Sequence, residues 1–265
     1  MNQAGFIGCG NMGGTLAAVA SKSIGGEHII IADHNPEKLA ALHDVYGCVP
    51  GTMAQAADSD VLFLGVKPQS LNSVAVELRN TLRTLKRQPL IISMLAGVTA
   101  FAVSEALGGT RVLRIMPNTP AAVGEGVILY CPGEGVTLDD ENNFLQLMKL
   151  AGICVKIPED KIDMGCAITG CGPAFVCLLM EAMIDAGVRC GLPRDKAMLF
   201  VQQTFLGTAK LALETKTEPA ILRAAVSSPA GSTIEGIAAM ERYGARNAIL
   251  EAVAAAYKRT QEMGK

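Results

Sequence analysis

Histidine is scarce in this chain. Only three occur in 265 residues, and all of them, His28, His34 and His43, fall within one short segment. A hydrolytic triad would lack its base anywhere else in the molecule, and no cluster of histidines and carboxylates offers a metal site. The eight cysteines, Cys9, Cys48, Cys131, Cys154, Cys166, Cys171, Cys177 and Cys190, include no C-x-x-C pair. That spacing excludes zinc fingers and thioredoxin-like redox chemistry, and small buried thiols in a reducing compartment are expected instead. Charge of one sign is also missing. With 23 basic and 25 acidic residues the net charge is −2, which gives no bulk attraction to nucleic acid or an acidic membrane. No uncharged apolar run reaches the roughly 18–20 residues of a spanning helix. The first residues show no basic, apolar and cleavable leader, so a cytoplasmic protein is expected.

What is present falls into two halves. Up to residue 158, β-rich runs alternate with helical stretches: "AGFIG", "HIIIA", "DVLFLGV", "PLIISML", "RVLRIM", "GVILYC" and "ICVKI". Several are continuously apolar, as strands covered on both faces are. The alternation predicts an α/β fold, a doubly wound Rossmann-like parallel sheet, over 1–158. Across 159–265 the strand signals stop. "PAFVCLLMEAMIDAGVRCG" is apolar nearly all round, a helix is expected to start at Pro193, and "ARNAILEAVAAAYKRTQEMG" reads as a final helix. Helices apolar on every side need cover, and a second copy of the chain is the simplest source. An all-helical dimerisation domain is therefore expected, giving a homodimer or a larger homo-oligomer.

"GFIGCGNMGG" opens the first half. Gly8, Gly10 and Gly13 fit G-x-G-x-x-G, directly after an apolar strand and at the start of a helix lined with small residues. Gly8 permits the tight turn, Gly10 lets the backbone approach a pyrophosphate, and Gly13 lets helix and sheet lie close. Free N–H groups at the helix start face the anion. Asp33 stands where an acidic residue often takes a ribose hydroxyl, which suits NADH. Asn35-Pro36 offers a helix start that suits the 2′-phosphate of NADPH instead. Three further loops, "GVKPQS", "LAGV" and "MPNTPAAVGEG", leave strands at the same carboxyl edge, where ligands of such sheets bind.

The histidines cluster near the adenosine end of such a cofactor, so none is placed as an acid–base beside the nicotinamide. Reduction of a C=N bond needs little side-chain proton transfer, because a protonated imine is already electrophilic. In the helical half, "AVSSPAGSTIEGIAAME" forms a hydroxyl-rich turn that opens a helix. N–H groups at Gly231, Ser232 and Thr233 would hold a carboxylate without a basic residue. The other reading of this turn is an ordinary Ser/Thr helix cap.

"LRAAVSSPAGSTIEGIAAME" resembles the signature of the pyrroline-5-carboxylate reductases. "GFIGCGNMG", "VLFLGVKP", "MPNTPAAVGEG", "GCGPAF" and "GLPRDKA" stand in that family's order, so the likeness covers nearly the whole chain. The resemblance implies reduction of L-1-pyrroline-5-carboxylate to L-proline with NADPH, or with NADH. It implies cofactor contacts at Gly8, Cys9, Gly10, Asn11, Met12, Gly13, Asn35, Val66, Lys67, Pro68, Ala96 and Gly97. It also implies that Gly231, Ser232 and Thr233 grip the substrate carboxylate, with Thr233 serving the ring nitrogen as the catalytic residue. No metal, membrane or nucleic-acid partner is implied.

The chain departs from the family's usual pattern at Thr169, Cys171 and Phe175, where serine and tyrosine hydroxyls are common, and at Ala230, a common glycine. Two other readings stay open. A β-hydroxyacid dehydrogenase shares the N-terminal loop, but its catalytic lysine should follow a Gly-x-Gly segment, and after Gly170–Gly172 the next lysine is Lys196, beyond a whole helix. A non-catalytic NADP(H) sensor would bind the nucleotide without turnover.

Overall fold

The structure, a computed structural model, describes residues 3–263. Contacts divide the chain into two compact units. One runs to Cys171 and also takes the chain end from Ala256; the other is Gly172–Ala255.

The first unit is built on strands β1 (Ala4–Ile7), β2 (Ile29–Ala32), β3 (Val49–Pro50), β4 (Val61–Leu64), β5 (Leu90–Ser93), β6 (Val112–Met116), β7 (Gly126–Pro132) and β8 (Gly152–Lys156). Between and after them lie helices α1 (Asn11–Ile24), α2 (Pro36–Tyr46), α3 (Met53–Ala57), α4 (Leu71–Thr84), α5 (Ala100–Leu107), α6 (Leu138–Met148) and α7 (Glu159–Thr169). The strands form one sheet in the order β3-β2-β1-β4-β5-β6-β7-β8. All seven strand-like runs become strands. The unbroken apolarity of β1 and β4 follows from burial on both faces. Phe6, Ile31, Phe63 and Ile92 enter one core beneath α1 and α6, while their neighbours Ile7, Leu62, Leu64 and Ile91 enter the other with α4 and α5. The in-register pair Phe6 and Phe63 stacks across β1 and β4 with ring centroids 4.3 Å apart. Burying each such ring contributes about 1.5–3 kcal/mol.

Two features depart from the expected sheet. β3 is a two-residue strand with no sequence signal of its own. More important, β7 runs antiparallel to β6, with Ile115 opposite Tyr130. A parallel return needs a crossover of a dozen or more residues, and the stretch 117–125 is too short for one. It turns through a 3₁₀ segment, Thr119–Val123, and sends the chain back beside β6.

Helix α7 packs on this sheet. Ile162 and Cys166 join Met116 and Leu129 in a third buried cluster. The Arg114 guanidinium, 1% exposed on β6, bonds Asp163 at 2.5 Å and lies 3.6 Å from Glu159. Those anchors explain why the compact unit runs past residue 158.

The second unit holds α8 (Gly172–Arg189), α9 (Arg194–Thr215), α10 (Pro219–Ala225), α11 (Ser232–Arg242) and the larger part of α12 (Ala245–Met263). Pro193 precedes the first turn of α9, and Gly191 takes φ +97° just after α8. No residue of α8, α10 or α11 is buried in the single chain. Leu178, Phe200, Leu206, Leu213 and Ile221 are all exposed. By length and composition Glu159–Arg189 is apolar enough to cross a membrane, although it contains charged residues and no uncharged run long enough. The same exposed apolar surface is what a helical subunit interface requires.

Candidate functional site

The sheet order sets the ends of β2, β1, β4 and β5 side by side, so the loops after them share one edge. A cleft of about 680 Å³ opens there, with Gly8, Gly10, Asp33, Val66 and Lys67 in its walls. Gly8 has φ +88°, a conformation that disfavours any side chain. A Cβ on Gly13 would lie 2.0 Å from the Gly8 carbonyl oxygen, so α1 can approach the sheet only without one. Gly10 differs: a Cβ there would meet nothing within 4 Å. The bare backbone at Gly10 faces open cleft at the N-terminus of α1, whose first N–H groups have no intrahelical acceptor. A pyrophosphate fits that space and that field.

Asn11, Met12 and Gly13 form the first turn of α1. Cys9 is buried, its N–H engaged by Asp33 and its Sγ 3.9 Å from the Ala32 carbonyl. Burial, with Asp33 close by, pushes its thiol up to about 12, so it stays protonated.

Asp33 is not the open ribose acceptor that its position suggested. Its side chain is 3% exposed. Oδ2 accepts the Cys9 N–H at 2.7 Å and Oδ1 accepts the Asn35 N–H at 2.9 Å. Burial opposes its charge, but these N–H donors, with Lys38 at 3.8 Å and His34 at 3.4 Å, hold it below the usual carboxylate range. Asn35 caps α2 by accepting the Glu37 N–H, and Pro36 begins the helix. Beyond Asp33, the cleft wall carries the His34 imidazole, 94% exposed, and the Lys38 cation, 41% exposed.

Val66 and Lys67 line the cleft, and Pro68 opens the 3₁₀ turn after β4. Ala96 and Gly97 are not in its walls. They lie at the carboxyl end of the neighbouring β5, where Gly97 has φ +73° and Ala96 packs on the third core cluster. The loop after β6 is fixed by a buried side chain: Asn118 donates to the Thr169 carbonyl at 2.9 Å and accepts the Val127 N–H at 2.8 Å.

Sequence reasoning missed Thr52, Met53 and Ser73, all in the cleft wall. Thr52 had a signal. With Gln55 it makes a reciprocal capping box that starts α3, the S/T-x-x-E/Q pattern.

Gly231, Ser232 and Thr233 lie in the second unit. Gly231 is the N-cap of α11 in extended conformation, and no side chain caps the helix. The Ser/Thr cap reading therefore fails, and among the described residues the Ser232 and Thr233 hydroxyls have no partner. Ala230, just before them, takes φ +57°.

Comparison with known proteins finds one family match toward each end of the chain. Residues 159–263 match the pyrroline-5-carboxylate reductase dimerisation family, and residues 3–97 match a family described as NADP oxidoreductase coenzyme F420-dependent. The chain is 39% identical to a pyrroline-5-carboxylate reductase of Synechocystis, covering 99% of this chain and 98% of that protein. It is 36% identical to the Escherichia coli protein of that name, over 98% of each. Among solved structures, the Plasmodium falciparum pyrroline carboxylate reductase with NADP bound superposes at TM-score 0.89, with 28% identity over 99% of this chain and 98% of that one. A pyrroline-5-carboxylate reductase from Coxiella burnetii gives 0.88, with 33% identity over 100% and 99%.

Proposed function

Since the chain belongs to the pyrroline-5-carboxylate reductase family, we propose that its cleft and its α11 turn divide that family's reaction between them. The reaction is the NAD(P)H-dependent reduction of L-1-pyrroline-5-carboxylate to L-proline. Dehydrogenase and sensor readings are not favoured, and the chain assembles with copies of itself through its helical half. The observation that carries the cofactor assignment is Gly10, whose bare backbone opens onto the cleft at the start of α1.

When bound, the reduced nicotinamide supplies the hydride. The protein's own work is holding and orienting. Gly8 to Gly13 receive the pyrophosphate, with Cys9 contributing loop shape rather than its engaged N–H. Val66, Lys67 and Pro68, then Ala96 and Gly97, carry the nucleotide along the sheet edge toward its reactive end. Asp33 directs both oxygens to backbone N–H groups, while Asn35 and His34 present donors and Lys38 a positive charge at the adenosine end. That arrangement favours the 2′-phosphate and therefore NADPH over NADH.

For the substrate, N–H groups at the start of α11 and the Ser232 hydroxyl hold the carboxylate. The Thr233 hydroxyl serves the ring nitrogen. An imine already protonated needs no strong side-chain acid, which agrees with the absence of histidine from the helical half. The division of labour falls near residue 158, nucleotide handling before it and substrate handling and dimer formation after it. Eight unpaired cysteines suit a reducing cytoplasm.

The test is direct. Purified protein mixed with NADPH and pyrroline-5-carboxylate should give steady loss of nicotinamide absorbance and stoichiometric proline. Saturable nucleotide binding without turnover would overturn the reading.

A further inference from the structure

A second cleft, of about 320 Å³, lies at the opposite edge of the sheet, where the ends of α4 and α5 meet the segments that enter β5 and β6. Arg79, Arg83 and Arg111 line it, together with Gln88, Gly108 and Thr110, and no carboxylate does. Arg111 is answered by Asp140. Among the described residues Arg79 and Arg83 have no hydrogen-bond or ion-pair partner. They stand one helical turn apart on α4, so their charges share one face.

Cations near a helix C-terminus serve the helix dipole, and Arg83 in the last turn of α4 is accounted for in that way. Two features are not. Arg79 lies a full turn further back. The Thr110 hydroxyl is buried with no hydrogen-bond partner.

We propose that this cleft binds a phosphate group. Two unanswered guanidinium forks and one unpaired hydroxyl match an anion with several acceptor oxygens, and guanidinium pairs with phosphate in bidentate fashion. The volume, less than half that of the nucleotide cleft, admits inorganic phosphate or a small phosphomonoester and excludes a dinucleotide. Helix α4 starts at the nucleotide cleft, where Ser73 and Val74 line the wall, and ends at this one.

The test uses the whole enzyme saturated with NADP⁺, so that the nucleotide cleft offers no second anion position. Inorganic phosphate and glycerol 3-phosphate are titrated by calorimetry at constant ionic strength. One saturable site per chain is expected. The Arg79→Ala/Arg83→Ala pair should weaken it by about tenfold or more, since a charge-assisted hydrogen bond is worth about 1.5–3 kcal/mol. Thr110→Val, which keeps the shape, should weaken it several-fold, and Arg79→Lys less than Arg79→Ala. An unchanged kcat in each variant shows that the fold is intact. Tighter binding of glycerol 3-phosphate identifies an organic phosphate as the ligand, and tighter binding of inorganic phosphate identifies the free ion. Absence of a saturable site, or equal binding by wild type and the double variant, overturns the proposal.

Discussion

The Asp33 carboxylate accepts the backbone N–H of Cys9 at 2.7 Å, so the end of β2 holds the glycine loop that follows β1. Its second oxygen holds Asn35 in the same way. One buried side chain thereby sets the shape of both loops at the nucleotide cleft.

Asp33→Asn replaces one acceptor oxygen with a donor that faces an N–H. It is expected to destabilise the sheet unit by about 1–3 kcal/mol. The pH dependence has a fixed sign. Because the folded carboxyl titrates below its ordinary value, its stabilisation is complete above about pH 4 and is lost as pH falls through the folded value. Acid unfolding followed by circular dichroism should show this limb in wild type. The Asn variant should lack that contribution.

Lys38→Ala and His34→Ala should raise the Kd for NADPH, by about tenfold for Lys38, and leave that for NADH nearly unchanged. Fluorescence titration with each nucleotide decides it. Parallel losses for both nucleotides would show that these side chains do not read the 2′-phosphate.

Removing the Thr233 hydroxyl removes one placed donor at the substrate nitrogen. Thr233→Ala is expected to lower kcat/KM by about 10- to 1000-fold without weakening nucleotide binding. Steady-state kinetics with varied pyrroline-5-carboxylate checks this, and an unaltered kcat/KM excludes Thr233 from the chemistry.

Ala230 occupies the left-handed region at φ +57°, which costs an L-residue roughly 1–2 kcal/mol. Ala230→Gly relieves that strain at some entropic cost in the unfolded chain. The net expectation is a stabilisation of about 0.5–1 kcal/mol, measured by denaturant unfolding at fixed protein concentration. A destabilised variant would mean that the methyl makes contacts worth more than the strain.

The sheet was legible because strands buried on both faces are apolar at nearly every position, as "VLFL" is throughout and "LIIS" is up to Ser93. β3 was not, since Val49 and Pro50 are exposed and too few to form a pattern. The antiparallel β7 was hidden for another reason: its apolar run looks the same in either direction, and only the short 117–125 connection fixes its sense. At the site, the glycine spacing together with the strand before it and the helix after it marked the tight turn at Gly8 and the close approach of α1 at Gly13. The role of Asp33 could not be read, because the sequence does not show which N–H groups surround a carboxylate. Arg114 is a charged residue inside the buried β6 strand, and its anionic partners come from α7, well along the chain.

No residue of helix α8 is fully buried within one chain. For the half of the molecule that carries Thr233, protein concentration is therefore a thermodynamic variable in the same sense as temperature. Diluting the enzyme should lower its melting temperature and, at sufficient dilution, its specific activity, with nothing altered in the nucleotide cleft.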